Sequence, residues 1–410
     1  MENDGIPIAS QASLTLEFPP SCVEFSPLLP SYFLVGTYNL QKNDGEAGDD
    51  DPSSAPQKRN GSIVVYELAG HDILHVQTLS RPSAILDLRF QPCPGKEDIV
   101  GVVSSTGTLE IFKFSASSSG PPSLTLLNTL RPLGEDDSLL FLQFAWHPTI
   151  SDMVAISTSA GEVTILQLGP DYKTAVAVAA EERCIAAHSD NAWCVTMSPA
   201  ISSPGDSASP MFTIYSGGDD SVLQYATCVL TETPAGEQRG LDVQLPYETM
   251  RIRGHEAGVT AILPLPCGKD IVVTGSYDDH IRVFSIQALH ETYGLRKTSL
   301  LAEVNLGGGV WRLRLVRVDS SAQGGEGGGW TAIILASCMH AGARMVRIKG
   351  LADGSQDVEL EILGRFEEHK SMNYASDFQP GSERDGHGEV VCVSTSFYDK
   401  LLCLWTVKIG

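Results

Sequence analysis

The sequence predicts an all-β chain, a seven-bladed β-propeller with loop insertions, and three observations carry that prediction. Short apolar runs alternate with a period of two and close on Gly, Asp or Asn. The runs recur in one fixed internal order, and that order repeats seven times along 410 residues. A chain of this length ordinarily divides into two or three domains. A repeat instead adds units to one continuous core, so residues 1–410 are expected as a single propeller.

Each copy opens with an apolar stretch that usually ends in Pro: CVEFSP, ILDLRFQP, LQFAWHP, AWCVTMSP, VTAILPLP, VWRLRLVRV and YASDFQP. A second stretch, a turn and a third stretch follow. They read LVGTYNL with SIVVYEL, then IVGVVSSTGTLEIFKF, MVAISTSAGEVTILQL, FTIYSGGDDSVLQYA, IVVTGSYDDHIRVFS, IILASCMHAGARMVRI and VCVSTSFYDKLLCLW. Tyr66, Phe112, Leu166, Tyr225, Phe284, Ile348 and Trp405 close the third stretches, roughly 46 to 64 residues apart, against ~40–45 for a minimal propeller repeat. Insertions take up the excess. Residues near 41–60, 200–210, 229–250 and 320–329 are expected as mobile insertions, because they carry too little apolar surface to offset the entropy of ordering them. The run SLTLEF (13–18) has the alternation of a strand that joins the last blade and fastens the ring.

Composition excludes several classes of function. With 28 basic and 50 acidic side chains the net charge is −22, and no basic cluster offers a footing for a phosphate backbone, so no nucleic acid is expected as a partner. No apolar run approaches the ~18 residues of a membrane span, and the N-terminal MENDGIPIAS is polar where a secretory signal would be basic and then apolar. The expectation is a soluble cytoplasmic protein with no membrane partner. Nine scattered cysteines without a CxxC pair read as reduced and buried. No GxSxG, GxxxxGK[ST], HExxH or dinucleotide fingerprint is present, and neither a metal nor an organic cofactor is expected.

Within the copies, Gly254-His255, Gly275-Ser276-Tyr277-Asp278, Asp219, Asp399 and Trp405 resemble the WD-repeat family. Asn60, Thr106 and Ala160 stand where the turn aspartate is missing in the early copies. In that family the turns between second and third strands share a rim with the loops entering the inner strands. The resemblance therefore implies a common face for His188, Trp193, Asp219, Asp220, His255, Tyr277, Asp278, His280, Trp311, Arg312, His340, His369, Tyr374, Tyr398 and Asp399. It also implies that Asp219, Asp278 and Asp399 hold their own turns, that His255 bonds toward such an aspartate, with His188 and His369 as variants of it, and that Trp405 is core. Tyr277, Tyr398 and Trp311 either pack or bind. His340, in a copy without the turn aspartate, has no such structural duty.

The phrases GGDD (217–220), GSYDDHIR (275–282), GGGVWRLR (307–314), ASCMHAG (336–342), HKSMNYASDF (369–378) and SFYDKLLCLW (396–405) together resemble one WD-repeat family, the diphthine methyl ester hydrolases of diphthamide biosynthesis. The likeness spans roughly residues 185–407. It implies a carboxylic ester hydrolase that removes a methyl ester from a modified histidine of translation elongation factor 2, its protein partner, with release of methanol. The trimethylammonium of that substrate calls for aromatic faces and negative charge. Residue type and expected rim position then suggest Trp311, Tyr374 and Tyr398 as a cage, with Asp219 or Asp399 beside it. For hydrolysis the same reasoning suggests His340 as general base, Asp377 as its orienter and Arg312 as oxyanion donor. Two other readings stand beside this one: a non-catalytic scaffold, as fold alone licenses no function, and a reader of methylated lysine, which the same rim would hold intact.

Overall fold

The structure, a computed structural model, describes residues 4–41, 58–117, 120–178, 184–200, 209–232, 241–267, 270–287, 296–320, 329–350, 357–384 and 388–410. It is a seven-bladed β-propeller: seven sheets, antiparallel in their core strands, follow one another around an axis. Their inner strands are Pro20–Phe25, Ile85–Phe90, Phe141–Trp146, Ala192–Met197, Val259–Pro266, Arg312–Ser320 and Ala375–Phe378. Each packs against the next, and the seventh meets the first.

The core is not one mass but a wedge between every pair of neighbouring blades. This follows from the sequence pattern. The middle strands of a blade are apolar on both faces, as in Ile99–Ser104 and Met153–Thr158, which are buried at every position. Each Val, Leu or Ile so buried contributes about 1.5–3 kcal/mol. Trp405 illustrates the seam between the sixth and seventh blades. It is fully buried, stacks on Phe366 at 5.2 Å between ring centroids, and donates its indole N–H to Ser394 Oγ at 2.9 Å.

The N-terminal run closes the ring. Ala12–Thr15 pairs antiparallel with Leu401–Lys408 as the outer strand of the seventh blade, with Ser13 opposite Cys403. Ile6–Ile8 adds a parallel strand to Val358–Phe366 of the sixth. The apolar alternation expected over 13–18 thus pairs through Thr15, with one further hydrogen bond from the Leu16 backbone N–H to the Lys400 carbonyl at 2.8 Å, before the chain enters the first blade.

Of the expected insertions, residues 42–57, 201–208, 233–240 and 321–328 lie outside the described residues. The stretch 229–250 holds more structure than a connection. The third strand of the fourth blade runs on to Glu232, and Leu241–Gln244 pairs with it as the outer strand. None of the nine cysteines is paired in a disulfide, and all but Cys184 are buried. No helix among the described residues is long and apolar enough to cross a membrane.

Candidate functional site

Five inner strands share a local irregularity that shapes the rim. Between Pro20 and Cys22, Ile85 and Asp87, Phe141 and Gln143, Ala192 and Cys194, and Val259 and Ala261, one extra residue interrupts the ladder. Such bulges re-aim the extra side chain. In the first and fifth blades that residue is a hydroxyl bridging to the next blade: Ser21 Oγ donates to the Ile85 carbonyl at 2.6 Å and Thr260 Oγ1 to the Val310 carbonyl at 2.5 Å. In the fourth blade it is Trp193, whose indole N–H instead reaches Asp219 Oδ1 at 2.5 Å.

Trp193 begins a continuous belt of rings. Its centroid lies 6.3 Å from that of Tyr277 and 5.3 Å from that of Trp311, while Tyr277 and Trp311 are 5.8 Å apart. Trp311 meets Tyr374 at 5.0 Å, Tyr374 meets Phe397 at 5.3 Å, and Phe397 contacts Tyr398 at 5.1 Å and Tyr38 at 6.0 Å. These residues come from the inner strand of the fourth blade, the turns of the first, fifth and seventh, and the positions just before the inner strands of the sixth and seventh. All are half-buried except Tyr398, which is 69% exposed.

Two glycines make room for the belt. A Cβ on Gly258 would stand 3.0 Å from the Tyr277 ring and 3.1 Å from Asp219 Oδ1, and one on Gly309 would meet Met339 Sδ at 2.8 Å. Burial pushes the Tyr277 phenol well above its ordinary pKa, and the Asp219 carboxylate adds to the rise. Tyr277 therefore stands at the mouth as a neutral phenol beside the Asp219 carboxylate.

The turn aspartates do structural work, in a register one residue from that expected in the fourth blade. Asp220, not Asp219, accepts from the Ser189 and Val222 backbone N–H groups and pairs with His188 Nδ1 at 2.8 Å. Asp278 accepts from Glu256 and His280 backbone N–H groups and from Arg282, and Asp399 accepts from Lys370 N–H, Ser371 and Ser396. For Asp399 burial opposes ionisation, but these hydrogen bonds outweigh it and hold the carboxyl below its ordinary pKa. Asp399 is thereby bound into its own turn, while Asp219 is released to the aromatic belt. The correction has a simple cause: Asp219-Asp220 offers two candidates, and neighbouring positions differ in where they point.

His340 stands exposed in the turn Cys338–Gly342 of the sixth blade, on the rim with the belt. Asp377 lies below, in the channel, where Oδ2 accepts from the Phe25 backbone N–H at 2.7 Å and Oδ1 is 3.5 Å from Arg314 Nε. It joins the seventh blade to the first, and the expected pairing with His340 is not formed. Arg312 is 8% exposed and lies beneath Trp311, its guanidinium carbon 5.4 Å from the indole centroid. The structure thus gathers Trp311, Tyr374, Tyr398, Asp219 and Arg312 around one mouth. Trp193 and Tyr277, expected on the same face, join them, and the structure adds Phe397 and Tyr38, which the sequence reading gave no role. Elsewhere, a shallow depression of about 500 Å³ between the first and second blades, lined by Arg59, Pro82, Thr106 and Asp137, has no aromatic lining residue.

Comparisons with known proteins bear on both fold and activity. The WD domain, G-beta repeat, matches residues 247–285, the fifth blade and its approach. Along nearly the whole chain the protein resembles a diphthine methyltransferase homolog of Dictyostelium discoideum, 22% identical over 95% of this chain and 97% of that one. It also resembles the diphthine methyltransferase of Schizosaccharomyces pombe, 25% identical over 95% of each chain, and that of Homo sapiens, 23% identical over 88% of this chain and 73% of the other. Among solved structures, Chaetomium thermophilum Sqt1 bound to the N-terminus of ribosomal protein L10 superposes with a TM-score of 0.52 at 14% identity, over 98% of this chain and 99% of that one, a likeness of fold alone. The relatives' names state methyl transfer. They overturn the expected carboxylic ester hydrolase, whose reaction runs in the opposite sense, and the roles of His340 as base and Asp377 as orienter lapse with it.

Proposed function

We propose that this protein serves methyl transfer to diphthine, the modified histidine of translation elongation factor 2, in diphthamide biosynthesis. The observation that supports the reading is the aromatic belt beside Asp219. A trimethylammonium group has no N–H to donate and is held by ring faces and diffuse negative charge, worth about 0.5–2 kcal/mol per well-placed ring. Trp193, Tyr277, Trp311 and Tyr374 offer the faces, and Asp219, anchored by Trp193 and by Asn191 Nδ2 at 3.0 Å, offers the charge. Exposed Tyr398 is the ring that an arriving protein would meet first. A net charge of −22 favours a basic partner surface and speeds encounter at low salt.

Methyl transfer needs a donor whose departing atom keeps the bonding electron pair, while a lone pair on the acceptor takes the methyl group. The protein's part in this reading is to hold the acceptor side chain in the mouth. The test incubates the purified protein with elongation factor carrying diphthine, whose free carboxylate supplies the accepting lone pair, and a sulfonium methyl donor, and follows the modified peptide by mass spectrometry. A gain of one methyl is expected. Trp311→Ala is expected to weaken binding of tetramethylammonium about tenfold and to slow the transfer. A native protein that binds no tetramethylammonium, or a variant that binds it equally well, overturns the reading.

A further inference from the structure

The inner strand of the sixth blade sends two arginines into the channel, Arg312 and, two residues deeper and so on the same strand face, Arg314. Their surroundings differ. Arg314 Nη2 is 3.1 Å from Glu24 Oε2 and donates to the Val23 carbonyl at 3.3 Å, and its Nε is 3.5 Å from Asp377 Oδ1. Arg312 has only a distant carboxylate, its Nη2 lying 3.9 Å from Asp87 Oδ1, and that aspartate is already engaged by Arg89 at 3.2 Å. Among the described residues Arg312 Nη1 is buried and has no hydrogen-bond partner.

Among the described residues nothing else close by neutralises it. Cys22 and Cys194 are its buried neighbours, and burial pushes both thiols up to about 12, so neither is a thiolate. Arg89 is a second cation nearby. A buried guanidinium with a free N–H is costly, and a carboxylate is the ligand whose geometry its planar fork matches.

We infer that Arg312 receives a carboxylate, so that the mouth takes a zwitterion, with a quaternary ammonium in the aromatic belt and a carboxylate on the guanidinium beneath it. The inference deepens the reading above and rests on it for the cation. Arg312 stands over one face of the Trp311 indole, its guanidinium carbon 5.4 Å from the ring centroid, so the two subsites adjoin, as a ligand whose ammonium and carboxyl groups share one carbon, such as a trimethylated amino acid, requires. Arg312 is then what distinguishes a betaine from a methylated lysine, which brings the cation without the acid.

The experiment measures binding of trimethylglycine and of its isostere trimethylglycinamide, which keeps the ammonium but replaces the carboxylate by an uncharged amide, to the full protein by calorimetry. The acid is expected to bind at least ~10-fold more tightly than the amide, the size of one charge-assisted hydrogen bond. Arg312→Gln is expected to erase that preference while keeping amide binding, whereas Trp311→Ala weakens both ligands together. Equal affinities on the native protein overturn the inference and leave the cation site standing. If neither ligand binds, the cation site falls as well. The comparison on the native protein decides the matter even where Arg312→Gln does not fold.

Discussion

The fourth to seventh blades and the first three are built on the same sheets yet hold their turns by different chemistry. In the second and third blades hydroxyls and glycine suffice. Ser104 Oγ pairs with Thr108 Oγ1 at 2.6 Å, Thr158 Oγ1 accepts from the Glu162 backbone N–H at 3.2 Å, and Gly107 and Gly161 take positive φ of 63° and 82°. The fourth, fifth and seventh blades use a carboxylate and a buried histidine, and they place Ser221, Asp279 and Lys400 at φ of 60°, 67° and 56°. What the difference teaches is that the aromatic belt gathers beside turns tied by a carboxylate. A carboxylate locking the turn fixes the residue just before it, and Asp219, Tyr277 and Tyr398 are those residues.

The largest test of this contrast removes a carboxylate's partner. Arg282, with a side chain 4% exposed, binds both oxygens of Asp278 at 2.9 and 2.8 Å and Glu303 Oε2 at 2.8 Å. Arg282→Met strands a buried carboxylate and is expected to cost about 3 kcal/mol by denaturant melting, where Ser104→Ala in the second blade costs about 1 kcal/mol. Equal costs would mean that the two kinds of turn are held equally and that the contrast is one of appearance.

Acid sharpens the contrast further. Burial lowers His255 and His369 from 6.5 to about 4, with Arg282 adding to the effect on His255, and Asp399 and Glu368 opposing it on His369. In the unfolded chain these rings take up protons near 6.5, so between pH 6.5 and 4 the unfolded state binds more protons and stability rises with pH. Stability is therefore full above that window and declines as pH falls through it. His147, at the far end of the third blade's inner strand, behaves likewise, lowered by burial to about 4. The pair His255→Gln and His369→Gln is expected to lower the melting temperature at pH 7 and to flatten its slope between pH 6.5 and 4. An unchanged slope would mean that other groups carry the acid response.

Much of this architecture is legible in the sequence because its signals are local. Period-two alternation and turns rich in Gly, Ser and Asp mark the second and third strands, which are largely buried on both faces. Outer strands such as Ala175–Ala177 and Leu241–Gln244 were not legible, because they are short, half-exposed and lack a closing turn of their own. At the site, residue type and rim position point to Trp311, Tyr374 and Tyr398, which the structure joins through ring contacts. Asp219 was assigned the duty of Asp220, since adjacent aspartates cannot be told apart without knowing which one lies inward. His340 and Asp377 illustrate a different failure. They were linked by chemical type, but one is on the rim and the other braces the closure between the seventh and first blades, a relation fixed only by the ring.

The smallest effect tests the turns themselves. A non-glycine residue at positive φ costs about 1 kcal/mol, which the second and third blades avoid with glycine and the fourth, fifth and seventh bear. In the latter the carboxylate one residue earlier offsets that strain, as Asp278 does by accepting the His280 N–H at 3.1 Å. Lys400→Gly is therefore expected to raise stability by about 0.5 kcal/mol, the relieved strain less the added freedom of the unfolded chain. Gly107→Ser is expected to lower it by about 1 kcal/mol, since that turn has no carboxylate and a Cβ would stand 3.2 Å from the Leu139 carbonyl oxygen. Chemical denaturation resolves both. A loss on Lys400→Gly would show that the lysine, which donates its ammonium to the Glu17 carbonyl at 2.9 Å, holds the N-terminal run against the seventh blade more strongly than its backbone is strained.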